Sequence, residues 1–510
     1  MNWIKESHML NRRGCGVLLH PTSLPGPGGI GSLGVHGRRF VDLLCDMGMS
    51  YWQVLPLTPP ACGNSPYSAF SAFAGNPLLI DLERVAEEGD LGSADQGEGY
   101  PEGYVDFGAV ILRKTELLRR AGEAFLARGD AGRTAEFREF CANTPWLEDY
   151  ALFMALKHRF QGKVWNHWPE GLARITPRAR RQQGEWLRHD MQLQSYLQWQ
   201  CARQWQELRR YANRRGIAII GDIPIFVAYD SADVWGERGL FLLDREGDPT
   251  VVAGVPPDYF SATGQLWGNP LYDWEAMERD GYEWWIRRFR ASLELFDIVR
   301  VDHFRGFEAA WQVPAGATTA RGGRWVKGPG ELLFDRLRDV LGELPVIAED
   351  LGVITPEVLT LRDRYRFPGM KILQFAFDAD LDDRDLPHNH VPHGVVFTGT
   401  HDNDTTRGWC ESRSAAELEE MAAYLGTAGD DCPGDLMRAA LMSVANTAIL
   451  PLQDILGLDS GARMNIPGTP WGNWEWRFTW EMIPEGLAAS LRSRLERYGR
   501  GRHGGNDHGT

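Results

Sequence analysis

The chain is expected to fold as an α/β protein, a (β/α)8 TIM barrel with large, mainly helical insertions between barrel strands. Three observations lead there. Short continuous apolar runs recur along the 510 residues, and eight of them end in a polar or charged cluster that opens a loop or helix. Runs of this kind, alternating with helical stretches, belong to a parallel sheet covered on both faces. A plain barrel needs about 250 residues, so much of the chain has to be insertion.

The runs read GCGVLLHP (14–21), YWQVLPLTP (51–59), GIAIIGDIPIF (216–226), FDIVRVDHF (296–304), LPVIAEDLG (344–352), GMKILQFAF (369–377), GVVFTGTHDN (394–403) and NTAILPLQDIL (446–456). Residues 1–81 hold the first two. The gap that follows, 82–192, is polar and helix-patterned and is read as a helical insertion. Trp146, Tyr150 and Phe153 fall at i, i+4 and i+7 behind the start signal Thr144-Pro145. Residues 193–212 also have a helical pattern and lead into the third run, so 193–498 is taken as the rest of the barrel. Within it, 253–274 is read as a lid loop, because Pro256, Pro257, Gly264 and Gly268 argue against strand or helix. The last dozen residues, GRGRHGGNDHGT (499–510), are Gly-rich and polar, the pattern of a disordered tail.

Bulk composition narrows the function. Hydrophobic residues make up 43% and charged residues 24%, ordinary for a globular protein with a sizeable core. A net charge of −15 argues against nucleic acid, whose phosphates call for clustered Lys and Arg. No apolar leader and no run of about 18 apolar residues is visible, so neither export nor a membrane is expected. The seven cysteines are scattered, without a CxxC pair. They suggest a cytoplasmic protein with free thiols, without a disulfide framework or a zinc site.

The strand ends carry the chemistry. Side chains alternate along a strand, so Arg300 and Asp302 share one face and Val299 and Val301 the other. A guanidinium beside a carboxylate keeps it ionised, which a covalent nucleophile requires; a buried ion pair that only organises the barrel is the competing reading. Glu349, in VIAEDLG, lies among acidic neighbours, which raise a carboxyl pKa and suit a general acid; a cap or loop acid is the alternative. In GTHDNDTTRGW, His401 and Asp402 follow an apolar strand and small residues. No GxSxG elbow accompanies them, which disfavours a Ser/His/Asp hydrolase, and the histidine spacing is not that of a zincin helix. Three carboxylates at three strand ends, with arginine and histidine beside them, fit cleavage of a glycosidic bond.

At this level of detail the chain resembles the 4-α-glucanotransferases of the amylomaltase (disproportionating enzyme) type, glycoside hydrolase family 77. The resemblance covers about residues 14 to 480 and rests on an ordered set of long motifs: GVLLHPTSLPGPGGIGSLG, GNSPYSAFSAFAGNPLLI, GDIPIFVAYDSADVW, GVPPDYFSATGQLWGNPLYDW, RVDHFRGF, AEDLG, THDNDTTRGW and PGTPWGNWEWR. It implies Asp302 as nucleophile, Glu349 as acid/base and Asp402 as transition-state stabiliser. It further implies His401 as a sugar contact, Tyr67 as an aromatic platform, Asp222 as a supporting acid, and Arg300 and His303 as their companions in the motif. Asp258 and Trp267 in the lid and Asn473 in the last motif complete the implied substrate-binding set. The implied substrates are malto-oligosaccharides and α-1,4-glucans, with glucose or maltodextrin as acceptor, no cofactor and no metal. An α-glucan hydrolase and a non-catalytic glucan-binding barrel are the rival functions.

Overall fold

A computed structural model describes residues 9–61, 63–92, 99–257, 261–377 and 383–502. Its strands in chain order are β1 (Gly14–Leu18), β2 (Tyr51–Gln53), β3 (Ala218–Pro224), β4 (Val251–Val255), β5 (Gln265–Pro270), β6 (Ile298–Asp302), β7 (Ala309–Pro314), β8 (Arg324–Lys327), β9 (Val346–Ala348), β10 (Gly369–Ile372), β11 (Gly394–Phe397) and β12 (Thr447–Pro451). Eight of them close a barrel in the order β1-β12-β11-β10-β9-β6-β3-β2. Every neighbouring pair is parallel, including the closing pair of β1 with β2.

All eight apolar runs contain a barrel strand, and each strand is shorter than its run. In six runs the polar end lies just past the ladder, whereas Asp222, Arg300 and Asp302 are still paired in the last residues of β3 and β6; both placements set polar side chains at the mouth. Val299 and Val301 of β6 are fully buried, on the face opposite Arg300 and Asp302.

Helices fill the stretch between β2 and β3. They include Phe107–Arg128, Ala131–Asn143, Leu147–Arg159 and Pro177–Trp186, followed by the 27-residue Arg188–Arg214. Asp106 and Asp130 cap the first two by accepting from the backbone N–H groups of Ala109 and Arg133. Tyr150 and Phe153 lie in the core at 1% and 0% exposure. The long helix runs across the 192/193 junction and docks on the barrel scaffold, where Trp205 Nε1 donates to Leu295 O at 2.9 Å.

Three expectations are corrected. The first is the segment 253–274, read as a loop, much of which is a hairpin. β4 and β5 pair antiparallel, and β4 joins β7 and β8 in a four-stranded sheet of order β5-β4-β7-β8. Gly254 serves strand pairing. A Cβ on Gly254 would stand 2.5 Å from the Gln265 carbonyl oxygen, and the register shifts between Val252 and Gly254 as in a bulge. Residues 258–260, Asp258 among them, lie outside the described residues.

The second is the tail. Arg500 is fully buried at the N-terminal end of the barrel and donates to the carbonyls of Gly14, Leu441, Ser443, Ala445 and Asn446 at 2.7–2.9 Å. Residues 503–510 lie outside the described residues. The third is the thiols. Cys410 and Cys432, 22 residues apart, form a disulfide with a Cα–Cα distance of 6.3 Å, tying the helix Thr406–Glu411 to Cys432–Met442. Cys15, Cys45, Cys141 and Cys201 are free. No helix among the described residues is long and apolar enough to cross a membrane.

Candidate active site

β3, β6 and β9 are adjacent in the barrel, so their C-terminal ends bring Asp222, Asp302 and Glu349 to one side of the mouth. Arg300 joins two of them, with Nη1 donating to Asp222 Oδ2 at 2.6 Å and Nη2 2.9 Å from Asp302 Oδ1. Its side chain is 5% exposed and that of Asp302 28%, so the pair has a buried anchor and an open carboxylate. Burial opposes the charge of Arg300, but Asp222 and Asp302 outweigh it and hold the guanidinium well above its ordinary pKa. The second Asp222 contact is Tyr67, whose hydroxyl donates to Oδ2 at 2.9 Å. Burial pushes the Asp222 carboxyl up to about 7, with Arg300 pulling against it.

Glu349 lies one residue past β9. The N–H groups of His303 and Leu351 donate to its two oxygens at 2.6 and 2.8 Å. His303 can do this because its backbone is left-handed, φ 48°, a strained conformation for a non-glycine residue at about 1–2 kcal/mol. Burial, then the negative charge of Asp302, pushes the Glu349 carboxyl up to about 7. The His303 ring stands edge-on to Trp267, centroids 4.8 Å apart, and burial pushes its imidazole down to about 3.

The opposite wall comes from the loop after β11. His401 is buried and Asp402 is open, with 3.4 Å between Nε2 and Oδ2. Burial lowers the His401 pKa, so near neutral pH the ring is uncharged. Tyr67 stacks on His401 at 5.1 Å and 14°, placing an aromatic floor between the two walls.

Two partners were missed from sequence. Asn465 Nδ2 donates to Asp402 Oδ1 at 2.6 Å, and the Trp474 ring lies 5.8 Å from both Tyr67 and His401. Trp474 stands inside the motif PGTPWGNWEWR, so a signal was present; Asn465, just before it, had none. Asn473 of the same motif does not bring its amide to this cluster. Its Oδ1 accepts from Ile466 N at 2.8 Å and its Nδ2 donates to Thr469 O at 2.9 Å, closing its own loop.

The arrangement has two kinds of acid. One carboxylate is paired with a permanent cation and open to a ligand, and the other is buried and holds its proton near neutrality. That division suits nucleophile and proton donor on one bond. Among the described residues, no group of three or more His, Cys, Asp or Glu side chains is arranged to hold a metal.

Comparison with known proteins agrees across almost the whole chain. The family described as 4-alpha-glucanotransferase matches residues 19–482. A 4-alpha-glucanotransferase of Thermus thermophilus is 52% identical over 494 residues, covering 95% of this chain and 98% of the relative. One from Synechocystis is 50% identical, covering 96% and 99%. The solved amylomaltase from Streptococcus agalactiae in complex with acarbose superposes with a TM-score of 0.93 at 37% identity, over 96% of this chain and 100% of that one. The chain belongs to the 4-alpha-glucanotransferase family, glycoside hydrolase family 77.

Proposed function

We propose that the chain moves α-1,4-glucan segments between malto-oligosaccharides by double displacement at this cluster. Asp302 attacks the anomeric carbon while Glu349 protonates the departing oxygen. A covalent glucosyl-enzyme forms, and a sugar 4-hydroxyl, deprotonated by Glu349, releases it with net retention. One observation carries the assignment: Arg300 holds Asp302 at 2.9 Å, beside a Glu349 whose carboxyl is pushed up to about 7.

Asp402 stabilises positive charge developing at the sugar. Its contact with Asn465 fixes one oxygen, the other lies 3.4 Å from His401 Nε2, and the side chain as a whole stays half-exposed to a ligand. Asp222 Oδ1 and His303 Nε2 are buried without a hydrogen-bond partner among the described residues, and both are assigned to sugar hydroxyls once a glucan is bound. Tyr67 stacks under the ring, His401 donates to a hydroxyl, and Trp267 covers the acid side; Asp258 is assigned to substrate binding from the resemblance alone. Asn473 acts through the loop it closes. Acarbose, the ligand of the Streptococcus agalactiae relative, is a fitting probe. The reading includes a cytoplasmic location, testable by cell fractionation.

Incubation with maltotriose tests it. Transfer yields glucose and longer oligomers with no gain in reducing ends. A rise in reducing ends favours the hydrolase, and no turnover favours a binding protein.

A further inference from the structure

Trp471 is 84% exposed, more than any other large hydrophobic side chain among the described residues. A single exposed apolar side chain is ordinary on its own. This one sits at the tip of a loop whose feet are tied to the site. On one side, Asn465 Nδ2 donates to Asp402 Oδ1 at 2.6 Å and Arg463 Nη2 to Asp402 O at 2.7 Å. On the other, Trp474 packs against Tyr67 and His401, and its N–H donates to Met464 O at 2.7 Å. The Asn473 side chain bridges the arms to Ile466 N and Thr469 O, and Gly468 and Gly472 turn the backbone at φ 81° and 75°.

The tip is therefore held in a defined shape. Trp471 and Trp474 are three positions apart, at most about 11 Å of chain, so the indole stands within a few sugar units of the catalytic cluster. Ile466, 46% exposed, adds apolar surface on the same loop. A flat, rigid, solvent-facing ring near a glucan site matches the C–H face of a glucose unit, and stacking there buries both apolar surfaces at little cost in side-chain freedom.

We infer that Trp471 is a stacking platform for a glucose unit of the bound glucan lying beyond those held by the strand-end residues, so that it sets preference for chain length. The inference rests on the glucanotransferase reading above. It makes Trp471 a specificity-determining residue, and ties the platform to Asp402 through one loop.

Two measurements test it. In the first, W471A and W471F are compared with the wild type on maltotriose and maltoheptaose. The ratio of kcat/KM for maltoheptaose over maltotriose is expected to fall by about three- to tenfold in W471A, through KM, and by less in W471F, which keeps a ring. In the second, limited N-bromosuccinimide oxidation of the wild type is mapped by peptide mass with and without maltoheptaose. Trp471 is expected to be protected, whereas Trp186, 59% exposed on a helix of the insertion, is not. An unchanged ratio in W471A together with unprotected Trp471 overturns the platform. The oxidation map needs no turnover, so a wild type that binds but does not transfer from maltotriose refutes the function and leaves this inference to be judged by protection.

Discussion

The two ends of the barrel each bury an arginine, and they use it in opposite ways. At the C-terminal end Arg300 is held between Asp222 and Asp302, which drive its pKa up. At the N-terminal end Arg500 finds backbone carbonyls and no ion pair with a carboxylate among the described residues, and burial pulls it down to about 10. The first arrangement concentrates charge and leaves one carboxylate open; the second spreads one charge over dipoles and closes a seam. Conserving charge for chemistry and consuming it for cohesion are separate uses of one side chain, and only the first has to face a ligand.

The sharpest way to break this contrast is Asp302→Asn. As Asp302 is the proposed nucleophile, its loss is expected to lower kcat on maltotriose about 10⁴-fold or more. The urea unfolding midpoint should stay near that of the wild type, because Arg300 keeps Asp222. A large stability loss would make Asp302 an organiser of the barrel instead. Next is Glu349→Gln, expected to cost about 10²–10⁴-fold on natural oligosaccharides, while glucosylation by α-glucosyl fluoride, whose leaving group needs no proton, survives. Equal loss with both donors would remove Glu349 from the acid role.

The same group sets the pH profile. In the proposed mechanism Glu349 holds its proton for the first step, so kcat/KM should decline as pH rises through about 7. For E349Q with glucosyl fluoride, that alkaline limb should vanish. Its raised pKa also means that the folded state loses stability as pH climbs from the ordinary carboxyl value towards about 7.

At the other end, Arg500→Ala is expected to cost about 3–5 kcal/mol of stability by stranding several carbonyls, read as a lower urea midpoint. Activity per folded molecule should hold, since Arg500 lies across the barrel from the site. A kcat loss at full stability would show that the two ends are coupled. The smallest effect is expected from reducing the Cys410–Cys432 bond, about 3 kcal/mol or less for a loop of this size. Cys410→Ser with and without reductant checks it.

The C-terminal end of the barrel was the legible one, for a physical reason. Period-two alternation places Arg300 and Asp302 on one face, and the polar break that ends each apolar run marks where the strand stops. The closing end was not. The partners of Arg500 are carbonyls, which every residue has, so GRGRH reads as tail whatever it touches. The hairpin of β4 and β5 was hidden because Gly254, Gly264 and Gly268 punctuate it, and glycine marks a bulge as readily as a loop. Cys410 and Cys432 sit on different helices, where spacing says nothing about pairing. Asn465 escaped notice because an asparagine two residues before a Pro-Gly turn looks like turn chemistry.

The pairing of β1 with β12 has a consequence for how the chain is made. Gly14 emerges from the ribosome long before its ladder partner Thr447, and the stitch across that seam is Arg500. That edge of the strand must therefore stay unpaired until Thr447 has been synthesised. Cutting the chain just before Arg500 would remove the last fastener of a ring already assembled, a different lesion from trimming a loose end.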